Sequence, residues 1–539
     1  MKENKGHRLP KTGGHPALEE FLLSNMRRGT TRLHMPGHKG TGIFIKTGHG
    51  RLLDHLAEVD ITEIPGADDL FNPDPEGPLG TMMEWYAALY QVKKSYLMVN
   101  GASGGILAAV LAVCGRGDTL IVARNCHKAV TNAMALGQIR PVYVYPDIMG
   151  EYGICGPVRP EQIEAALEAN SEAKAVLITS PNYYGVLSDV KAIADICHRH
   201  GKVLIVDQAH GAHLAFFDEV EGTCRSAERG GADLIVNSIH KTLAGFGQTA
   251  VLNVQGKTAY GPCPGGVDLL ALEDRLQQVQ TSSPSYILLA SLDANAEILE
   301  NNRGELIYEW GKDIRRFYEE AAAIHGVHVV PAEPWMDPTK INLSVTDPPI
   351  DGAALSRRLR DEYGIQVELF SHRMVMCLTG LGTRWSDLSK LLQALHRITE
   401  THREEQLISR TQGEPLPVGA GVAAAAGLAA GIAEQAGKRP AQGASFAGEA
   451  GEADAEAWIR PHEVRALPEE KEWVALAEAA GCTAAASVTP YPPGVPALCP
   501  GEVFTEEDIA HIIRLLEEGG AVMGVAENGK VLVGKEGAK

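Results

Sequence analysis

Four short stretches carry the side chains that could do chemistry. Asn237-Ser238-Ile239-His240-Lys241 follows an apolar run, so Lys241 stands just beyond a buried strand. Desolvation there disfavours the ammonium form, lowers its pKa and frees an amine for Schiff-base formation. Alone, a lysine after a strand is a solvated loop residue; its companions argue otherwise. Val203-Leu-Ile-Val-Asp207-Gln208-Ala209-His210 ends another apolar run in an acid. At the carboxyl edge of an open α/β sheet, where ligands bind, a carboxylate can keep an aromatic ring nitrogen protonated and make that ring an electron sink. Ala209 is small enough to lie flat against the face of such a ring. Alone, an acid at a strand end is more often a helix cap.

Upstream, Asn100-Gly101-Ala102-Ser103-Gly104-Gly105 joins a strand pattern to an Ala/Leu-rich helix pattern, Ile106 to Val113. Such a turn aims backbone N–H groups and the positive end of the helix at an anion, and Ser103 can add a hydroxyl. Glycine also serves ordinary tight turns, so this stretch means little without the others. Arg124-Asn125-Cys126-His127-Lys128 follows the next apolar run and places His127 where an imidazole can stack on the open face of the same ring.

The elements that must position these residues are legible as a pattern. Apolar, β-branched runs recur at Tyr96–Asn100, Thr119–Ala123, Pro141–Tyr145, Ala175–Thr179, Val203–Asp207, Leu234–Ser238 and Thr249–Asn253. Helix-period segments such as Gln162–Ala169 and Val190–His200 separate them, with Gly201 at a C-cap position. This alternation predicts an α/β domain with a mostly parallel sheet covered on both faces. A long helix pattern from Leu288 to His325 leads to a smaller α+β unit, with strands expected at Val327–Val330, Ile341–Val345 and Met374–Leu378. Residues 411–455 are rich in Ala, Gly, Pro and Gln, too poor in bulky side chains to offset ordering entropy, and read as a linker or weak helix. Globular composition returns at Trp458. Thr505-Glu-Glu-Asp508 before Ile509, Ile512, Ile513 and Leu516 predicts a capped amphipathic helix in a small C-terminal α/β domain. The expected division is an N-terminal arm (1–50), a cofactor-binding large domain (51–290), a small domain (291–410), the linker (411–455) and the C-terminal domain (456–539).

The order phosphate turn, stacking histidine, ring-nitrogen acid and Schiff-base lysine resembles the aspartate-aminotransferase-like large domain of the fold-type I pyridoxal phosphate enzymes. Within them the chain is most similar to the ornithine/lysine/arginine decarboxylase family, in its shorter form without an N-terminal wing. The residues that carry this are His34-Met-Pro-Gly-His-Lys39, Gly66-Ala-Asp-Asp-Leu-Phe71, Asn125-Cys-His-Lys128, Asp207-Gln-Ala-His-Gly-Ala-His213, Ser238-Ile-His-Lys241, Thr281-Ser-Ser-Pro-Ser-Tyr286, and Tyr491-Pro-Pro-Gly-Val-Pro496 with Pro500-Gly-Glu502. They span nearly the whole chain outside the linker.

The resemblance implies pyridoxal 5'-phosphate as cofactor, Lys241 as its Schiff-base residue, Asp207 as the ring-nitrogen partner and His127 as the stacking group. It places Ala102, Ser103, Gly104, Ser238 and His240 around the phosphate and Ala209 and His210 beside the ring. Thr281 matches a residue that the other subunit of a homodimer contributes to the same phosphate, so two chains would share each site. Relatives often carry a hydroxyl where this chain has Ala102 or Gly104, which shifts the phosphate cup toward backbone N–H groups; Gln208 stands where the shorter forms commonly have Glu. The implied reaction is decarboxylation of arginine, lysine or ornithine, with a lean to arginine. Glu368 matches a family residue near the distal end of the substrate, and Asp68 and Asp69 are further candidates to meet its cation. The same fold also hosts other lyases and aminotransferases, for the latter of which Arg373 or Arg384 would bind the substrate carboxylate. A non-catalytic homologue would have lost Lys241 or Asp207, and both are present.

Composition narrows the classes further. A chain of 539 residues exceeds the roughly 250–300 at which one core stops growing, so two or three domains are expected. With 49 Lys+Arg against 68 Asp+Glu, the net charge of -19 argues against nucleic acid or anionic lipid and suits a cationic ligand. Nine scattered cysteines without a Cys-x-x-Cys pair read as free thiols in a reducing cytosol, and no metal site is expected. The charged start, MKENKGHRLPKTGG, lacks a signal-peptide core. Val418–Ala433, the most apolar stretch, is Ala and Gly and falls short of the ~20 residues of a membrane span. A cytoplasmic location is the expectation.

Overall fold

The structure is a computed structural model that describes residues 17–535 apart from 63, 65, 66, 151, 413–458, 466–469, 492, 493, 518, 519 and 527. Of the linker expected over 411–455, residues 411 and 412 end the helix Trp385–Gln412 and 413–455 lie outside the described residues, as do Trp458, Gly66 and the Pro492-Pro493 pair.

Seven strands form the central sheet, in the spatial order Lys94–Met98, Ala250–Val254, Leu234–Asn237, Val203–Asp207, Ala175–Thr179, Thr119–Ala123, Arg140–Val144. All but one run the same way. Ala250–Val254 is antiparallel to both its neighbours, which leaves Lys94–Met98 pointing with the others. Strand direction is invisible to a hydrophobic pattern, since a buried run reads alike in either sense. The shared direction has a chemical consequence. The turns after Met98, Ala123, Thr179, Asp207 and Asn237 all open at one edge of the sheet, and four of the five carry the stretches singled out above.

Alternation along the strands divides the core. Leu120, Val122, Leu177, Ile205, Val236 and Leu252 face the helix Gly101–Val113, whose Ile106, Ala109 and Val110 pack on them. Ile121, Val176, Ile178, Leu204, Val206 and Ile235 face the helices Pro160–Ala169 and Val190–Arg199 on the other side. Gly105 permits the first packing: a Cβ there would meet Val236 Cγ1 at 2.9 Å, so the helix crosses the sheet at closer range than any other residue allows.

The helix Tyr286–Ala321 has 36 residues, about 54 Å at 1.5 Å per residue, and carries the chain from the large sheet to the small domain. There Val327–Val329, Lys340–Thr346, Val375–Leu378 and Leu369–Phe370 form an antiparallel sheet, in that order, backed by helices Gly352–Tyr363 and Trp385–Gln412. The segment Thr31–Leu33 is fastened to this domain by parallel pairing with Ile365–Val367. The C-terminal unit has two antiparallel pairs, Lys471–Ala475 with Lys530–Gly534 and Thr489–Tyr491 with Ala521–Met523. Its helix Glu506–Glu517 is capped reciprocally: Asp508 N–H donates to Thr505 Oγ1 at 3.2 Å and Thr505 N–H to Asp508 Oδ2 at 2.9 Å. No disulfide joins any of the nine cysteines. Among the described residues no helix is long and apolar enough to cross a membrane.

Candidate active site

Lys241 lies in the short helix Ile239–Thr242 that begins where the Leu234–Asn237 strand ends. Its Nζ is 2.8 Å from His210 Nε2. Burial lowers its pKa to about 8, although Asp207 and Glu368 both pull it back up. Asp207 ends the neighbouring parallel strand and is 3 % exposed. Burial raises its pKa, partly offset by Lys241 and by the Ala209 N–H, which donates to Oδ1 at 3.1 Å. Among the described residues no donor reaches Asp207 Oδ2. A carboxylate on a residue this buried gains from accepting a hydrogen bond from a cationic donor, and Oδ2 has that capacity to spare.

His127 caps the helix Lys128–Gly137, with Nδ1 accepting the Ala129 N–H at 3.1 Å. Because Nδ1 accepts, the neutral ring carries its hydrogen on Nε2. Burial, with Lys241 and Lys128 nearby, drops its pKa to about 3, so the ring is uncharged at neutral pH. His210 is likewise pushed well below its ordinary range by burial and then by Lys241. Its ring packs 4.4 Å from that of Tyr183, and its Nδ1 is buried without a hydrogen-bond partner.

At the anion turn, Asn100 precedes the helix Gly101–Val113 without a side-chain capping bond, so its first N–H groups are open. Gly101 has φ +71°, a backbone that favours glycine. Ala102 and Gly104 are buried, while Ser103 is exposed in the first turn. Ser238 precedes the Lys241 helix, again without a capping bond, and His240 Nδ1 meets Thr249 O at 2.9 Å. Burial lowers the pKa of His240 to about 4. Thr281 stands apart on the surface with Ser282 and Ser283; its Oγ1 accepts the Ser283 N–H at 3.2 Å.

The His34–Lys39 motif buttresses the lysine turn. Gly37 N–H donates to His240 O at 2.7 Å, and a Cβ on Gly37 would lie 2.3 Å from the Thr242 carbonyl carbon. Lys39 Nζ donates to His34 O at 2.5 Å and Leu378 O at 2.8 Å. Burial brings its pKa to about 7 against the pull of Glu368 and Asp387. Glu368 accepts from Met35 N–H at 2.8 Å and Tyr183 OH at 2.7 Å, and each oxygen retains a second acceptor site.

The two aspartates proposed beside it are differently employed. Asp68 accepts backbone N–H groups of Asp69, Asp74, Leu79 and Gly80, capping the helix Pro78–Tyr90. Asp69 Oδ1 accepts the Phe71 N–H at 2.9 Å. Among the described contacts none joins either to Lys241, Asp207 or Glu368. Arg373 donates to Gly150 O at 3.0 Å, and Arg384 packs against Gly42.

Several contributors were not singled out from sequence. Tyr183 follows the strand Ala175–Thr179 at the same edge, so the rule that found Asp207 and His127 reaches it too. Glu228 is buried and accepts from Gln208, Asn237 and Asn253, a polar network directly behind the Asp207 strand end. Asp337, Lys340 and His213 form a second buried cluster: Lys340 Nζ donates to Asp337 Oδ2 at 2.6 Å and to His210 O, and His213 Nε2 lies 3.1 Å from Asp337 Oδ2. Gln208 and His213 belong to the Asp207–His213 motif quoted from the sequence, but no local spacing signals Glu228, Asp337 or Lys340 as their partners.

The fold and this arrangement define a fold-type I pyridoxal phosphate enzyme, and the residues present fit that group. Asp207 Oδ2 lacks a donor, the helix at Gly101 lacks a cap for its N–H groups, and Lys241 presents an amine of lowered pKa. Residues 16–342 match the family model described as Orn/Lys/Arg decarboxylase, major domain, and residues 448–523 match the C-terminal domain of the same family. The chain belongs to the Orn/Lys/Arg decarboxylase family. It is 29% identical over 514 residues to the arginine decarboxylase of Bacillus subtilis, covering 93% of this chain and 94% of the relative. To that of Bacillus anthracis it is 30% identical over 520 residues, 93% of each. The crystal structure of the Francisella novicida lysine decarboxylase LdcF shares the fold, with TM-score 0.68 and 21% identity over 92% of this chain and 78% of that one.

Proposed function

We propose that this chain decarboxylates a basic amino acid, arginine in the first place, to the corresponding polyamine and CO2. The reading is carried by Lys241 beside Asp207 on adjacent strand ends, in a chain that aligns almost end to end with relatives named arginine decarboxylases. Pyridoxal phosphate, when bound, supplies an aldehyde for reversible linkage to amines and a ring that takes up the electron pair left by departing CO2.

The chain's own residues do the rest. Lys241, with a pKa near 8, offers a free amine in a useful fraction of molecules at neutral pH. Asp207 holds a proton at the ring nitrogen by its charge in a buried site. His127, uncharged, would cover one face of the ring, and Ala209 would leave room at the other. Ser103, Ser238, His240 and the N–H groups of Gly101 to Gly104 would receive the phosphate. His210, 2.8 Å from Lys241 Nζ, exchanges a proton with it, so that Lys241 can return one to the substrate Cα after CO2 leaves. Glu368 meets the substrate's distal cation through its spare acceptor sites, and Asp69 is a weaker candidate for that role. The net charge of -19 favours encounter with cations. The functional unit is a homodimer in which Thr281 completes the partner's phosphate site; its exposure beside Ser282 and Ser283 agrees with this.

Separate incubation with arginine, lysine and ornithine, measuring CO2 and amine, tests the reaction. Arginine should give equal amounts of both, and Glu368→Gln should raise KM more than it lowers kcat. Keto acid in place of amine, or no turnover of any of the three, would exclude the reading. Borohydride should abolish the visible absorbance band, which Lys241→Ala should lack altogether.

A further inference from the structure

Gly494 belongs to the C-terminal unit, yet it sits against His127 of the large domain. Its peptide groups are fixed on both sides, the N–H donating to Pro490 O at 3.0 Å and the carbonyl accepting the Lys128 N–H at 2.9 Å. With φ +83° the backbone favours glycine, and a Cβ there would lie 3.1 Å from both Cδ2 and Nε2 of His127. The other edge of the ring is held by the Ala129 N–H on Nδ1. The imidazole is thus gripped between a cap bond from its own helix and the backbone of a different unit.

Three residues before His127, Arg124 fixes the register of that grip. Its guanidinium makes two bonds to Glu502, Nε to Oε1 at 3.0 Å and Nη2 to Oε2 at 2.7 Å. It also donates to Pro496 O at 2.8 Å and Ala497 O at 3.0 Å, just downstream of Gly494. Glu502 Oε2 accepts the Cys499 N–H as well, at 2.8 Å. The two side chains are 0% and 1% exposed. A buried pair of this kind contributes little net stability, because desolvation offsets the attraction, but it penalises any shifted register heavily.

We propose that Arg124, Glu502 and Gly494 are positioning residues for the cofactor. The buried pair sets segment 494–502 on the strand end, and the Gly494 backbone then holds the His127 ring at the angle from which it faces the cofactor. The proposal rests on the assignment of His127 as the stacking residue.

A double-mutant cycle on the full-length, cofactor-stripped protein tests it. Pyridoxal phosphate is titrated into wild type, Gly494→Ala, His127→Asn and the double variant, following the visible band. Asn keeps a capping oxygen for Ala129 while removing the ring. Gly494→Ala should weaken binding about tenfold and shift the band maximum in the His127 background, but cost less than about twofold in the His127→Asn background. Equal losses in the two backgrounds overturn the proposal. So does an equal loss in Gly481→Ala, which shares the backbone strain at φ +81° but has nothing within 4 Å of the new Cβ. Unchanged affinity in His127→Asn alone removes the stacking assignment, and the proposal with it. Should Gly494→Ala prove insoluble, the cycle is run with Glu502→Gln, where strictly additive losses are again fatal.

Discussion

The Nζ of Lys241 and the Nε2 of His210 stand 2.8 Å apart, and their unequal basicity decides which carries the proton. At neutral pH most Lys241 is still an ammonium and donates, so His210 accepts on Nε2 and keeps its own hydrogen on Nδ1, the atom buried without a partner. Above pH 8 the lysine is a free amine. In the cofactor-free protein, reductive methylation of Lys241 should therefore reach half its maximal rate near pH 8, while exposed lysines require pH near 10.5. Site-resolved mass spectrometry across pH 6 to 11 reads this directly, and a Lys241 midpoint beyond pH 10 would contradict the desolvated lysine.

Asp207 trades stability for chemistry. Burial holds its carboxyl above the ordinary range, so ionising it costs free energy. Asp207→Asn should leave Tm of the cofactor-free protein unchanged or higher, and lower kcat by about 100-fold or more through loss of the charge that keeps the ring nitrogen protonated. A variant that loses Tm and activity together would mark Asp207 as a structural residue instead.

The Asp337–Lys340–His213 cluster makes a pH-dependent contribution to stability. Burial alone would raise the Asp337 pKa, but Lys340 and His213 outweigh it and hold it well below 3.8. A depressed carboxyl stabilises the folded state above its unfolded pKa of 3.8, and that stabilisation is lost as pH falls through the folded value. Asp337→Asn leaves the Lys340 ammonium buried without its carboxylate and should cost about 3–5 kcal/mol at pH 7. The gap to wild type in urea midpoint should be constant from pH 7 to about 5 and narrow below pH 4. A gap unchanged at pH 3 would show that the charge of Asp337 is not what stabilises.

Gly37 is a steric requirement of the lysine turn. A methyl group 2.3 Å from the Thr242 backbone must displace either the His34–Lys39 segment or the helix carrying Lys241. Gly37→Ala should lower kcat by about 100-fold, since small displacements of a reacting group cost that much, with far-UV circular dichroism unchanged. Wild-type kcat in this variant would mean the turn tolerates the shift, and the motif is not a buttress.

Much of this was legible in the chain itself. Four buried apolar residues before an acid, or three before Asn-Ser-Ile-His-Lys, mark a strand and its exit turn, because burial and the two-residue alternation are local properties of the backbone. That is why the runs at Thr119–Ala123, Ala175–Thr179 and Val203–Asp207 coincide with strands, and why Lys241, Asp207 and His127 could be named from spacing. The Tyr96 and Pro141 strands begin earlier than their apolar runs, at Lys94 and Arg140, where pairing in the sheet extends them past the hydrophobic signal.

Tertiary structure decided the rest. Only the strand order sets Asp207 beside the Lys241 turn, and only pairing across the sheet reverses Ala250–Val254. Arg124 meets Glu502 across 378 positions, and Tyr183 meets Glu368 across 185. Contacts at such separations leave no periodicity in the sequence, because nothing about either segment alone depends on where the other will dock. The amino-acid sequence thus determined which groups could do the chemistry; the packing of distant segments determined the charge, the orientation and the company in which they do it.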